Sequence, residues 1–207
     1  MSNYKIVIPP GDELMYLDSN DGKGWKIQLS DNEPMRGSYA AFTQGYVPYA
    51  TPTDILTIQG STTKTIRIRT LTFAGIATSP TNIFINTVRR NGANTGGASS
   101  TLVTPRRDTV NDMASATLRL WSAAPTGLGT VVDGGFSDGG RLNLAPAANG
   151  SIDRLALQYS WINEQAPVLR GVNDYFCVNL AGNPTTLTGV AWPAGGALDI
   201  NVVWSEE

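Results

Sequence analysis

Almost nowhere does this chain show helical periodicity. What recurs is a short alternating or apolar run, closed each time by Gly, Pro, Asn or Asp. The best helix candidate, "VNDMASATLRLW", is short, and its second half alternates as a strand does. The spacing predicts strands over Lys5–Ile8, Trp25–Leu29, Ile55–Gln59, Thr65–Phe73, Ile83–Arg89, Thr117–Ser122, Gly129–Val132, Arg141–Leu144, Leu155–Trp161, Tyr175–Leu180 and Leu198–Trp204. Turn signals such as "QGSTTK", "NGANTGG" and "DGGFSDGG" separate them. About ten short strands without intervening helices point to an all-β fold, an antiparallel sandwich or barrel. A jelly-roll-like β-sandwich is the commonest solution at this strand count and is the fold expected.

One strand carries an irregularity. In "KTIRIRTLTF", Ile66 and Ile68 share one parity and Leu71 and Phe73 the other. A one-residue slip of this kind is what a β-bulge produces, so a bulge or sharp bend is expected at Arg69–Thr70. Such a bend lets a strand cross from one sheet to the other, which would make this stretch a corner of the sandwich.

At 207 residues the chain is long enough to bury a full core without disulfide or metal. Residues 1–40 are acidic and broken by a Pro-Pro-Gly sequence. They read either as an N-terminal arm or small hairpin outside a 41–207 sandwich domain, or as its first strands. The apolar run in "MSNYKIVIPP" is too short for a signal peptide or membrane anchor, so synthesis in the cytoplasm without a conventional export signal is expected.

The absence of histidine removes Ser-His-Asp and Cys-His catalysis and His-based zinc sites. The lone Cys177 sits in the apolar run "DYFCVNL" and reads as a small buried hydrophobe. "DSNDGKG" at 18–24 opens like a calcium loop, but Gly22 and Leu29 stand where ligands are needed, and an ordinary turn accounts for it. Asp133 and Asp138 fit a Gly-rich hairpin connection as well as an ion site. Asp153, Glu164 and Asp174 have no spacing that favours a glycosidase pair. No catalytic, metal or cofactor site is expected.

The arginines Arg67, Arg69, Arg89, Arg90, Arg106 and Arg107 lack interleaved aromatic platforms, and the net charge is −2. They therefore read as protein-interface residues, suited to pairing with carboxylates, and direct nucleic-acid contact is not expected. Lys64, Arg67 and Arg69 should face solvent or a neighbour. Four of the tryptophans, Trp25, Trp121, Trp161 and Trp204, lie in or end strand-like runs, where packing is the default. Trp192, in the Gly/Pro-rich "GVAWPAGG", is the one candidate exposed contact. The terminal "WSEE" should be exposed, because adjacent glutamates are costly to bury.

The succession "DILTIQGSTTKTIRIRTLTFAGIAT", "INTVRRNGANTGGASSTLVTPRRDTVNDMASATLRLWSAAPTGLGT", "VLRGVNDYFCVNL" and "ALDINVVWSEE" resembles small virion structural proteins of tailed bacteriophages. The likeness spans roughly Asp54 to Glu207 and consists of strand and turn chemistry. It implies a jelly-roll-like subunit at the virion surface, acting as a head decoration or cement protein without catalytic residues or cofactor. The implied partners are the major capsid protein or other virion subunits, with a homo-oligomer, a trimer first, suiting three-fold lattice positions. The alternative is a fibre or tail-tip head that binds a receptor or glycan. No membrane partner is expected.

Overall fold

The computed structural model describes residues 37–51, 53–146, 156–162, 165–181, 183–185 and 191–207. These belong to the second of two compact units, Met35–Glu207, so that residues 37–40 of the expected arm are part of the sandwich. The expected strands Lys5–Ile8 and Trp25–Leu29, the 18–24 loop, Trp25, Asp153 and Glu164 lie outside the described residues.

The fold is all-β. In chain order the strands are β1 (Gly37–Tyr46), β2 (Asp54–Gln59), β3 (Ile66–Ala77), β4 (Thr81–Asn91), β5 (Ala98–Thr101), β6 (Thr117–Ala123), β7 (Thr130–Val131), β8 (Asp138–Pro146), β9 (Leu157–Ser160), β10 (Val168–Leu169), β11 (Asp174–Asn179) and β12 (Ala197–Glu206). They form one curled sheet in the order β1-β12-β3-β8-β4-β11-β2-β6-β5, with β9 and β10 on β3 and β7 on β4. Every pairing is antiparallel except the short contact of Ile76 and Ala77 with Ala145 and Pro146, where β3 meets β8. That junction divides the sheet into two layers folded over a common core, as in a jelly-roll-like sandwich.

Period-2 alternation explains the core. Ile66, Ile68, Leu71 and Phe73 of β3 and Leu198, Ile200, Val202 and Trp204 of β12 point inward. They meet Ile83 and Ile85 of β4, Leu142 and Leu144 of β8 and Phe176 and Val178 of β11. Tyr39 stacks on Trp204 at 5.6 Å, and Trp161 packs edge-on to Phe176 at 5.8 Å. The second faces of β2 and β11 are buried too, which puts Cys177 with Val88 and Tyr175 in a small outer cluster.

The bulge predicted in β3 is present. Val203 pairs with Thr70 and Trp204 with Ile68, so Arg69 is the extra residue. The slip is what allows both apolar parities to face the same core. The expected crossing of sheets does not occur there. β3 stays beside β12 from Ile66 to Ile76, and the corner lies at Ile76–Ala77 and the Ser79-Pro80 turn that follows.

Candidate interaction surface

Two carboxylates that composition would place in solvent organise the surface of this sandwich from within. The first is Glu206. The inward parity of Leu198, Ile200, Val202 and Trp204 continues to Glu206, which is only 2% exposed. Its carboxylate accepts bonds from the Ser115 and Ala116 amides at 2.9–3.0 Å, from Ser115 Oγ at 2.7 Å and from Trp204 Nε1 at 3.0 Å. These donors replace water around the charge, which corrects the expectation of an exposed "WSEE" end. Glu207 is half-buried as well, and Arg67 Nε donates to it at 2.6 Å.

The Ser115–Ala116 grip fixes the end of a strap, residues 102–116, that joins β5 to β6 across the edge of β1. Leu102 N donates to Leu118 O at its start. Ala40 N donates to Pro105 O, and Arg107 N to Ser38 O, in a bridge centred on Tyr39 and Arg106. Tyr39 Oη donates to Asp112 O, and Lys64 pairs with the Asp112 carboxylate at 3.3 Å. The strap thus links the last strand of one layer to the first strand of the other. It also lifts apolar side chains into solvent: Val103, Val110 and Met113 are 83%, 77% and 68% exposed. Phe42, on the neighbouring edge of β1, is 61% exposed. Arg106 and Arg107 sit among them, both exposed, with Arg106 Nη1 donating to Asn111 O. Apolar side chains beside arginine are the composition of a protein-binding surface.

The second internal carboxylate is Asp54, fully buried at the start of β2. Arg90 of β4 pairs with it through Nε at 2.6 Å and Nη2 at 2.9 Å, while Asn179 and Asn94 donate at 2.6 and 2.7 Å. The remaining Arg90 donors reach Gly129 O and Pro184 O at 3.0 Å. Burial alone pulls the guanidinium pKa down. The Asp54 hydrogen bonds and charge outweigh it and hold that pKa raised. Asn94 Oδ1 also accepts from Gly129 N, so the "NTGG" loop is a brace for this pair. Gly96 and Gly97 have φ of 68° and 66°, and a Cβ at Gly97 would collide with the carbonyl oxygens of Ala123 and Ala124. Burial pushes the nearby Cys177 thiol well up, with the Asp54 charge adding to it.

The six arginines are therefore not one surface. Arg90, 1% exposed, belongs to the interior. Arg67 is held by Glu207, and Arg69 donates to Ser205 Oγ at 3.1 Å. Arg89 is half-buried, its Nε enclosed without a hydrogen-bond partner among the described residues. Arg106 and Arg107 alone of the six stand exposed, both on the strap. Trp192 is half-buried against the core, with its indole N–H donated to Gly196 O.

A cleft of about 300 Å³ lies between the strap and the end of β12, lined by Tyr39, Lys64, Asp112, Glu206 and Glu207 among others. Each of its three carboxylates already has a partner in Lys64, Ser115–Ala116 or Arg67. Among the described residues no three His, Cys, Asp or Glu side chains converge as a metal site would require. Asp174 accepts from the Arg170 amide, and Asp138 from Thr87 Oγ1. No helix among the described residues is long and apolar enough to cross a membrane. Comparison with family models, curated proteins and solved structures finds no match to the chain.

Proposed function

We propose that this chain is a non-enzymatic structural protein of a tailed-bacteriophage virion, a decoration subunit that stabilises the head by bridging capsid subunits. The observation that carries this reading is the strap, which sets Val103, Val110, Met113, Arg106 and Arg107 on the outside of a cross-braced sandwich. The carboxylates of the neighbouring cleft are engaged in holding the fold, which favours a binding role over acid–base chemistry. The resemblance of Asp54–Glu207 to virion structural proteins supplies the partner class. A subunit that binds assembled shell but not free capsid protein stabilises the shell by mass action.

The test is binding of the purified chain to heads that lack it. The reading expects saturable binding and a raised temperature of shell disruption. Variants Val110→Asp and Met113→Asp should bind at least tenfold more weakly without unfolding. Binding to host-cell glycans, with none to heads, would replace this reading by a receptor-binding one.

A further inference from the structure

Among the described residues the curled sheet ends at the outer edge of β1, and the strap covers only part of that edge. At Ser38 and Ala40 the main chain faces outward and bonds to Arg107 and Pro105. Strand alternation turns the main chain of Phe42 and Gln44 to the same edge. From Ala40 to Tyr46 the sequence AAFTQGY has neither charge nor proline, so it lacks two of the devices that keep edge strands apart. A register shift between Thr43 and Tyr46 ends the regular stretch, which leaves a short regular edge carrying the exposed Phe42. The two ends of this edge are oppositely charged. At one lie Arg106 and Arg107, with no carboxylate partner among the described residues. At the other lies Asp199, which accepts the Gly45 amide at 2.8 Å.

We propose that this edge is a self-association site that takes β1 of a second copy of the chain, antiparallel, about a two-fold axis at Thr43. Phe42 of each copy then stands opposite Gln44 of the other, and the two residue pairs exchange four main-chain hydrogen bonds. The same rotation carries each strap toward the Gly45 end of the opposite copy and sets Arg106 and Arg107 against Asp199. A patch of this kind, neutral at the centre and opposite in charge at its ends, complements itself under a two-fold operation. The result is a dimer, unlike the trimer that the family resemblance implies, and it does not depend on the virion reading.

Sedimentation of the full chain across concentration tests this. The expected result is a reversible dimer, twice the 22.0 kDa of the chain, forming at roughly 10–100 μM because the contact is small. Phe42→Lys, an exposed change that puts charge on the edge, should weaken it at least tenfold. Arg107→Glu and Asp199→Lys should each weaken their own homodimer, whereas mixing the two should restore much of the dimer, because each substituted position then faces an opposite charge. If Asp199→Lys does not fold, Phe42→Lys and Arg107→Glu decide alone. A monomer at all concentrations, or an oligomer indifferent to Phe42→Lys, would overturn the proposal.

Discussion

Replacing Arg90 with methionine keeps an unbranched apolar stem and removes every charged donor to Asp54. Four hydrogen bonds disappear, two to the carboxylate at 2.6 and 2.9 Å and two to the carbonyls of Gly129 and Pro184. Asp54 stays fully buried, with only the Asn94 and Asn179 amides to hold a negative charge. Breaking one partner out of a buried pair costs about 3–5 kcal/mol. For a chain of this size each kcal/mol lowers Tm by roughly 2–4 °C, so the expected fall is roughly 6–20 °C. The pair also tethers the "NTGG" and Pro184 loops, whose amide exchange should quicken. Arg107→Met, an exposed change on the strap, should stay within about 0.5 kcal/mol of the parent. Asp54→Asn together with Arg90→Met should cost less than the sum of the single changes, since no buried charge remains. Thermal and urea unfolding followed by circular dichroism measure the parent and all four variants, the single Asp54→Asn included. If Arg90→Met costs under about 1 kcal/mol, no more than Arg107→Met, the pair does not brace the fold and the reasoning fails.

Glu206→Ala should release the strap. A loss of about 2–4 kcal/mol is expected from orphaning the half-buried Ser115 amide, the buried Ala116 amide and the Trp204 indole, with faster exchange at Ser115 and Ala116 seen by mass spectrometry. Deleting Arg69 removes the bulge residue and puts Ile66, Ile68, Leu71 and Phe73 on one parity of a regular ladder, so the deletion should still fold. Deleting Thr72 instead sets Leu71 and Phe73 on opposite faces and should not fold, as circular dichroism will show. Native Cys177 should resist thiol reagents at pH 8 and react fully in denaturant. The same burial gives a pH dependence. Cys177, the buried Tyr46 and the half-buried Tyr49 have raised folded-state pKa values, and Tyr159 is pushed up to about 12. Their ordinary values are 9.0 and 10.0, so above those values the unfolded chain loses protons that the native chain keeps. Stability from these groups is complete below about pH 9 and declines progressively above it, which Tm measured between about pH 9 and 12 will report.

Much of the fold was legible because burial on one face writes itself as alternation. The phase change inside "KTIRIRTLTF" located the bulge at Arg69, although it said nothing of where the sheet turns a corner. β1 was missed because "GSYAAFTQGY" puts the small Gly37 and Ala41 on either side of Tyr39 on its inner face, Ala41 opposite bulky Val202, and so shows little apolar alternation. β5, "ASST", is an exposed edge strand with nothing to bury and so leaves no pattern. The internal carboxylates left signals that a charge count hides. Adjacent residues of a strand face opposite sides, so the "RR" at 89–90 had to send one arginine to each face of β4. In "LDINVVWSE" the inward parity runs unbroken onto Glu206. What sequence could not supply is the donor set: the Ser115 and Ala116 amides lie 91 and 90 residues from Glu206, and only the strap's path across β1 brings them there.

Electron microscopy of the intact particle, with the sandwich fitted to the density, tests the central claim most directly. The account predicts repeated density on the head lattice, with the strap of residues 102–116 turned toward capsid subunits. Density confined to a tail or fibre tip, or a strap turned away from every neighbour, would contradict it.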